Sequence, residues 1–458
     1  MALPPGPRIP ALLTVWHWLR RPFEFFEECR RAHGPEFTMR LPGLPPLVVF
    51  SDPADVKEIF ADDGDLLLAG RFNLSLRAFL GEHSVLMLDG KEHLRQRRLL
   101  LPPFHGERMH AYGQVMLDAA HDALDRWPLR RPFPVHAEMQ KITLEVILRA
   151  VFGIDEVAPL AELSRLLAEL LDIAAWPPLL IPALQRDLGP LSPWGRFLRK
   201  GAVIERLLLD QIRRRRAELA AGAQPAARAD VLSLLVAARD ESGQALTDEE
   251  LRDELVTLLV AGHETTATAL AWAFRWILAT PSIEDRLRAE LAGAAGAPDR
   301  IAKLDLLDAV VRETLRLQPV VPIVGRILDR PARVGAWDLP AGTGVVCSIY
   351  LAHCRPEAYP DPTRFDPDRF LGTRPTPQEF FPFGGGNRRC IGMAFALHEM
   401  KMVLAAVLSR ASLRIADDRP IRPVRRSITL TPSRGMLLEL TRRAPRPLRE
   451  APQRTAAA

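Results

Sequence analysis

The sequence contains very little cysteine. Four cysteines occur in 458 residues, and no two of them form a Cys-x-x-C pair; they are Cys29, Cys347, Cys354 and Cys390. So few thiols exclude a disulfide framework, and the absence of a close pair argues against a structural zinc site. We therefore expect a protein of the reducing cytoplasm.

Long apolar runs and basic stripes are also missing. The apolar stretch near the N-terminus is broken by His17 and closed by Arg20 and Arg21, which makes it too short to span a bilayer. No basic stripe with interleaved aromatic residues occurs, and the net charge of +5 is small for this length. We expect no transmembrane anchor and no nucleic-acid partner.

The remaining composition is that of an ordinary globular protein. Hydrophobic residues make up 48% of the chain, and no repeat or break in composition divides it. The pattern is almost wholly helical over 107–318, and short strand-like runs occur before and after that region. We predict a mainly α protein with small sheets, one domain over 1–458, with 1–20 and 442–458 extended or disordered.

The clearest predicted helix begins after Thr247. Glu250 follows three residues later, as in a capping box, and the apolar pattern ends at Pro281. That spacing gives about 33 residues and a rod about 50 Å long. The middle of the helix is apolar all round, so we expect it to be buried along its length.

Polar residues interrupt this apolar helix at one place, Ala261–Thr266. Gly262 weakens a helix interior, and the acid Glu264 and the alcohol Thr265 follow it. A surface turn would explain such residues only if one side of the helix faced water. We favour a local opening of the helix, where an acid and an alcohol beside a small cavity can relay protons.

Cys390 stands at the end of a glycine-rich run, FPFGGGNRRCIG, directly before another helical pattern. Backbone N–H groups at a loop-to-helix junction favour a thiolate. Three roles compete for it: a buried inert thiol, a nucleophile, or a soft ligand of a metal such as haem iron. An inert thiol needs no glycines, and a nucleophile needs a base that the sequence does not show.

Two further charged patterns are ambiguous by themselves. Glu313 and Arg316 lie one helical turn apart, which is usually a weak surface pair unless another partner holds it inside. His93 and Arg97 share one helix face and could together bind an anion, or could belong to an exposed basic helix.

In combination, these stretches resemble the cytochrome P450 superfamily of haem-thiolate monooxygenases over about residues 4–440. The haem-binding signature F-x-x-G-x-x-x-R-x-C-x-G is met in full by residues 381–392. The motifs A/G-G-x-D/E-T-T/S, E-x-x-R and P-x-R-F are met by Ala261–Thr266, by Glu313 with Arg316, and by residues 367–370. The resemblance implies the family's triangular helical prism with a long central helix.

The resemblance also implies a role for each matching residue. Cys390 would ligate the iron of haem b, and Glu264 and Thr265 would deliver protons to dioxygen. Glu313, Arg316 and Arg369 would form a buried structural triad. The remaining haem contacts would be His93, Arg97, Ala261, Arg326, Phe383 and Arg388, and His353 is a further candidate.

By the same analogy, the enzyme inserts one oxygen atom from O2 into a C–H or C=C bond of a lipophilic molecule. The expected pocket residues are Leu258, Leu259, Ala261, Val320, Val321, Ile323, Val324, Ile428 and Thr429, capped by 72–88 and 173–184. These are mostly apolar, which favours a fatty acid or a terpenoid or steroid-like substrate. A fatty acid would need a cation at the mouth, for which Arg77 is the candidate.

Electrons would come from NAD(P)H through separate proteins, a ferredoxin with its reductase or a flavodoxin, because no redox domain is present in the sequence. Arg95, Arg98 and Arg389 would bind that acidic partner. We expect a cytoplasmic monomer, similar to bacterial members of the family related to fatty-acid hydroxylases.

Three alternatives stay open from the sequence. A peroxide-dependent hydroxylase of the same fold usually lacks the acid–alcohol pair. A haem sensor or electron carrier needs neither that pair nor a large apolar pocket. A cysteine hydrolase would bind no haem.

Overall fold

The computed structural model describes residues 2–62, 64–106, 108–153, 165–170, 173, 185–222, 230–294 and 296–446. The cap predicted at 173–184 therefore lies outside the described residues except for Ile173. In the described part, no helix has both the length and the apolar character needed to cross a bilayer.

Helices make up most of the described chain. They are α1 (Ala11–Arg20), α2 (Pro22–His33), α3 (Pro53–Ala61), α4 (Ala69–Phe72), α5 (Arg77–Leu80), α6 (Gly90–Leu100), α7 (Arg108–Arg126), α8 (Val135–Phe152), α9 (Pro193–Ala220), α10 (Val231–Ala237), α11 (Asp248–Leu278), α12 (Pro281–Ala292), α13 (Pro298–Ile301), α14 (Asp305–Leu317), α15 (Ile349–His353) and α16 (Met393–Arg410).

The strands are short. They are β1 (Phe37–Met39), β2 (Leu47–Phe50), β3 (Leu67–Leu68), β4 (Pro132–Pro134), β5 (Ile323–Leu328), β6 (Ala332–Val334), β7 (Trp337–Leu339), β8 (Gly344–Ser348), β9 (Ala411–Ile415), β10 (Pro423–Arg426), β11 (Thr429–Pro432) and β12 (Leu437–Arg443). The largest sheet has the order β1-β2-β8-β5-β3, with β2 and β8 parallel; smaller sheets are β4-β12-β9, β10-β11 and β6-β7.

Local sequence signals explain where several elements begin. The Asp52 carboxylate accepts the N–H of Ala54 at 2.8 Å and caps α3. At the start of α11 both bonds of the capping box form, from Glu250 N–H to the Thr247 hydroxyl and from Thr247 N–H to the Glu250 carboxylate. The start of α11 agrees with the sequence prediction.

The structure differs from the prediction at the N-terminus. Residues Ala11–Arg20, expected to be extended or disordered, form α1, whereas residues 442 and 443 are extended as part of β12. The partly buried residues Val15 and Trp18 explain this difference, because they pack α1 against the cluster formed by α2, β1 and β2.

The central helix α11 packs most closely against α8. The Thr143 hydroxyl of α8 donates to the His263 carbonyl at 2.9 Å, and the His136 ring meets the Thr268 hydroxyl at 3.1 Å. On another side, the Trp272 indole N–H donates to the Leu430 carbonyl of β11 at 2.8 Å. These contacts fix the orientation of α11 against its neighbours.

Candidate functional site

Cys390 ends a tight loop that the glycines allow. Its backbone N–H donates to the Phe383 carbonyl at 2.9 Å. Gly384 and Gly386 have φ angles of 69° and 61°, a region that favours glycine. A Cβ atom on Gly386 would lie 2.1 Å from the Phe60 carbonyl oxygen, so the loop also needs glycine in order to pack against α3.

The Cys390 side chain is accessible although protein surrounds it, whereas the other three cysteines are buried. We infer that the thiol borders an internal space. Burial raises the pKa of the Cys390 thiol, while the Gly392 N–H and the charges of Arg97 and Arg389 act to lower it. Within the described residues no cluster of three or more His, Cys, Asp or Glu could hold a metal. A single thiolate ligand fits that finding.

A group of basic residues lies beside this thiol; His93 and Arg326 are buried, and Arg97 and Arg388 are half-buried. We call it the cationic cluster: His93 and Arg97 on α6, Arg326 on β5, and Arg388. Arg388 pairs with Asp89 at 2.6 Å, but no ion pair of Arg97 or Arg326 occurs within the described chain. The three guanidiniums therefore outnumber the one carboxylate that contacts them.

The pKa values of the cationic cluster reflect this imbalance. Burial, together with Arg388, Arg97 and Arg326, lowers the pKa of His93 to about 3. Burial also lowers the pKa of Arg388 to about 10, against the opposing effect of Asp89. Such a cluster fits a bound group that carries more than one carboxylate.

The segment 83–89 joins the cationic cluster to the central helix. The His83 N–H donates to the Asp253 carboxylate at 2.9 Å, and the Val85 N–H donates to Glu254 at 2.6 Å. Burial raises the pKa of Glu254 to about 8, so this acid is mostly protonated at neutral pH. Both carboxyl groups belong to the first turns of α11.

The other end of the segment 83–89 is held by the cysteine loop. The Arg388 guanidinium donates to the Val85 and Leu88 carbonyls at 3.3 and 2.5 Å, in addition to its pair with Asp89. Arg388 was expected to contact a haem propionate, and here its hydrogen bonds go to this segment.

One face of α11 is open in its middle. Ala261, Gly262 and Thr265 are accessible, whereas His263 and Thr266 are buried. The Thr265 hydroxyl donates to the Ala261 carbonyl at 2.6 Å. Because residues four apart share a helix face, the accessible pair Ala261 and Thr265 presents an alcohol to the internal space.

The expected opening of the helix at Gly262 does not occur, since α11 is continuous. A Cβ atom on Gly262 would lie 2.6 Å from Ile147 Cδ1. The glycine therefore permits close packing of α11 on α8. The sequence could not show this, because the neighbouring helix lies more than one hundred residues earlier in the chain.

Glu264 is held by side chains from two neighbouring elements. Gln140 donates to its carboxylate at 2.6 Å, and His136 and Arg426 each lie 3.5 Å from it. Burial acts to raise the pKa of Glu264, but His136 and Arg426 hold it below the usual value. Glu264 is thus an ionised, nearly buried carboxylate beside Thr265. Neither Gln140 nor His136 was expected at the site.

The structure brings Glu313, Arg316 and Arg369 together as a buried ion cluster. Arg316 Nε and Nη2 donate to the Glu313 carboxylate at 2.6 and 2.9 Å, and both side chains are 0% exposed. Arg369 Nε lies 3.4 Å from the same carboxylate. The Asp366 N–H donates to the Glu313 carboxylate at 2.9 Å, so the cluster also holds the backbone at Asp366.

Arg316 also connects this cluster to His353. Its Nη1 donates to the carbonyls of His353 and Pro362 at 2.9 and 2.8 Å. The His353 ring accepts the Phe381 N–H at 2.9 Å and is fully buried. His353 therefore supports the cysteine loop from behind and does not reach the internal space.

The predicted pocket residues divide into accessible and buried ones. Leu258, Ala261, Val321, Ile323, Val324 and Ile428 are partly or fully accessible, whereas Leu259, Val320 and Thr429 are buried. Leu259 belongs to the main core because it follows Leu258 by one residue, about 100° around the helix. The Leu430 N–H donates to the Val320 carbonyl at 2.9 Å, which brings the two predicted wall segments together.

Two predicted surface cations are neutralised. Arg95 is half-buried and pairs with Asp240 and Glu250 at 2.7 and 2.8 Å, and Arg98 pairs with Glu241 at 2.5 Å. Asp240 and Glu241 come from the start of the loop that follows α10, and Glu250 comes from the first turn of α11. The spacing along α6 could not reveal these partners. Arg95 and Arg98 were expected to bind the redox partner, and in the structure their guanidiniums are paired with carboxylates of the protein itself.

Two other predicted cations, Arg77 and Arg389, are exposed. Arg77 is exposed and lies 3.6 Å from Glu82, so the fatty-acid candidate already faces a carboxylate. Arg389 is exposed next to Cys390 and contacts the Met393 sulfur at 2.8 Å; no ion pair of Arg389 occurs within the part of the chain described.

Known proteins match this chain over most of its length. The sequence profile described as Cytochrome P450 matches residues 4–439. A Mycobacterium tuberculosis protein with the provisional name cytochrome P450 135B1 is 39% identical, over 100% of this chain and 94% of its own length. Another from the same organism, provisionally cytochrome P450 137, is 38% identical over 88% of this chain and 83% of its own length.

Solved structures show the same fold. Cyanobacterial CYP120A1 with bound retinoic acid has a TM-score of 0.83 and 26% identity, covering 96% of this chain and all of that one. The haem domain of cytochrome P450DA has a TM-score of 0.82 at 24% identity, with 97% and 99% of the two chains covered, which supports the fold alone.

Proposed function

The chain belongs to the cytochrome P450 family of haem monooxygenases, and from that premise we propose that it oxidises a lipophilic fatty acid or terpenoid-like molecule with electrons from a separate redox protein. The observation that carries the proposal is the accessible Cys390 thiol beside the cationic cluster with too few carboxylates.

The residues present fit haem b. Cys390 would ligate the iron, and Arg97, Arg326 and His93 would take the two propionates, with Arg388 shared between a propionate and the segment 83–89. Phe383 and Ala261 would lie against the ring. Haem would supply an iron centre that activates dioxygen for insertion of one oxygen atom.

Residues of the central helix α11 would supply protons. Thr265 presents its hydroxyl to the internal space, and its neighbour Glu264 is ionised and held by Gln140, His136 and Arg426. We propose that Thr265 holds a proton at its hydroxyl oxygen and that Glu264 replenishes it through water.

The assignment of Cys390 is tested by the spectrum of the reduced protein with carbon monoxide. Thiolate ligation gives a Soret band at about 450 nm, and Cys390→His should abolish it. Cys354→Ala, at a buried cysteine outside the internal space, is the matched control and should keep the band. Retention of the band by Cys390→His would overturn the proposal.

The proton path is tested by the coupling of electron use to product. Thr265→Ala should lower the product formed per NAD(P)H consumed several-fold and increase hydrogen peroxide release, because the hydroxyl is lost. Thr265→Ser keeps the hydroxyl and should restore coupling. If Thr265→Ala stays fully coupled, this role is wrong.

The substrate class rests on the apolar accessible residues and on one structural neighbour. CYP120A1 binds retinoic acid, a lipophilic isoprenoid acid. Titration with retinoic acid, a long-chain fatty acid and a neutral terpene should give a spin-state shift in the Soret band for at least one of them. The pairing of Arg77 with Glu82 makes it a weak carboxylate anchor, so Arg77→Ala should not change fatty-acid affinity.

The redox partner would dock beside Cys390. Arg389 is exposed there without an ion pair in the described chain, whereas Arg95 and Arg98 are paired. We propose an acidic ferredoxin or flavodoxin that contacts Arg389. A single domain, a monomeric state and a cytoplasmic location stay predictions of the sequence.

A further inference from the structure

Helix α1 carries an apolar face that points away from the protein. Leu12 is 75% exposed and Trp16 is 51% exposed, and Ile9 and Leu13 are also exposed. We call Ile9, Leu12, Leu13 and Trp16 the α1 stripe. Leu12, Leu13 and Trp16 follow helical spacing and lie on one side of α1, and Ile9 precedes the first turn of the helix.

The opposite side of α1 fixes the helix to the body. Thr14 is buried, and Val15 and Trp18 pack on the cluster of α2, β1 and β2. The Arg425 guanidinium of β10 lies 4.1 Å from the centre of the Trp18 ring. The α1 stripe is therefore presented on a docked helix, and its exposure does not result from an unpacked segment.

A cationic cavity adjoins the N-terminal end of the α1 stripe. Its volume is about 390 Å³, and its lining includes Arg8, Arg40, Thr38 and Ile9 of the stripe. The Thr38 hydroxyl and N–H bind the carbonyls of Pro4 and Pro5, which fixes the proline-rich segment along β1. Within the described chain neither Arg8 nor Arg40 forms an ion pair.

The first 23 residues carry charge of one sign. No Asp or Glu occurs before Glu24, whereas Arg8, Arg20 and Arg21 lie within the first 23 residues. Arg20 is exposed at the C-terminal end of the stripe, and Arg21 is paired with Glu28 at 2.8 Å. An apolar helix face with a tryptophan, flanked by unpaired arginines, matches the interface of a bilayer that contains anionic lipids.

We propose that the α1 stripe and the Arg8–Arg40 cavity form a docking surface for the surface of an anionic lipid membrane. The four apolar side chains would enter the boundary between headgroups and acyl chains, and the two arginines would bind lipid phosphates. The helix is short and would lie in the plane of the interface without crossing it.

Flotation of the full-length holoenzyme with vesicles tests this proposal. Vesicles of phosphatidylcholine with phosphatidylglycerol should retain the protein at low salt, and vesicles of phosphatidylcholine alone should retain much less. The double substitution Leu12→Asp with Trp16→Asp should lower the bound fraction about tenfold. Leu129→Asp, at a leucine that is 51% exposed before β4, is the matched control and should leave binding unchanged.

The arginines are tested separately. Arg8→Ala with Arg40→Ala should remove the preference for phosphatidylglycerol while leaving the weaker binding to neutral vesicles. Unchanged thermal unfolding and an unchanged carbon monoxide spectrum show that each variant is folded.

The proposal fails if the wild type does not float with anionic vesicles, or if the Leu12 and Trp16 variant floats equally well. It also fails if these substitutions instead abolish a dimer seen by size-exclusion chromatography without vesicles. That outcome would make the stripe an interface between copies of the chain.

Discussion

Two groups of arginines lie near the cysteine loop and differ in how their charge is balanced. In the Glu313 cluster, Arg316 and Arg369 surround one carboxylate, and backbone carbonyls take most of the remaining Arg316 donors. In the cationic cluster, Arg97 and Arg326 lack an acidic partner in the described chain. A buried ion cluster that is satisfied by protein is part of the fold, whereas an unsatisfied one needs a ligand from outside.

Substitution in the Glu313 cluster should have the largest effect. Arg316→Met leaves the Glu313 carboxylate buried without its main partner and should lower the free energy of unfolding by about 3–5 kcal/mol. Urea unfolding measures this loss. Arg286→Met, in the exposed pair with Asp368, is the control and should change stability by less than about 1 kcal/mol. Equal effects of the two substitutions would contradict the structural role of the buried Glu313 cluster.

Substitution in the cationic cluster should have the opposite effect on stability: it should not destabilise the protein without haem. Arg326→Met removes a buried, unpaired charge, so the haem-free protein should be as stable as the wild type or more stable. Haem affinity should fall about 10- to 100-fold, because a propionate partner is lost. Haem transfer to an acceptor protein measures the affinity. A loss of haem-free stability comparable to that of Arg316→Met would refute the distinction.

The pH dependence of the haem-free protein sharpens the comparison further. The pKa of His93 is about 3 in the folded protein and near its ordinary value of 6.5 in the unfolded chain, so the unfolded state binds the extra proton between these values. Stability is therefore full above about pH 6.5 and falls as the pH drops toward 3, by about 1.4 kcal/mol per pH unit for one proton. His93→Gln should flatten this slope in urea titrations. His353 contacts Arg316 of the Glu313 cluster and also has a pKa of about 3. Its contribution to the pH dependence of stability should therefore remain in the His93→Gln variant.

The smallest expected effect concerns the surface cation. Arg389→Glu should slow reduction by an acidic ferredoxin about tenfold at low salt, because steering depends on complementary charge. Peroxide-driven turnover should be unchanged, since it needs no redox partner. Arg374→Glu, at another exposed arginine, is the control. If both substitutions slow reduction equally, the effect belongs to the net charge of the protein.

Signals confined to a few neighbouring residues were readable from the sequence. The cap at Thr247, the glycine loop before Cys390 and the Glu313–Arg316 spacing all depend on positions a few residues apart. The family profile and the relatives confirm the predicted fold class and the monooxygenase family.

Contacts between distant segments could not be read in the same way. Arg95 on α6 is neutralised by Asp240 and Glu250, which lie 145 and 155 residues away. Glu264 is held by Gln140, which lies 124 residues earlier. The pattern along one helix shows which residues are charged, but only packing shows which charges are already paired.

The segment 83–89 is fastened at both ends, by Asp253 and Glu254 on one side and by Arg388 on the other. It therefore behaves as a fixed span between two rigid supports. Side chains along such a span, for example Leu86 and Met87, would set the shape that a substrate must match. Exchanging them should alter where a substrate is oxidised while leaving haem binding intact.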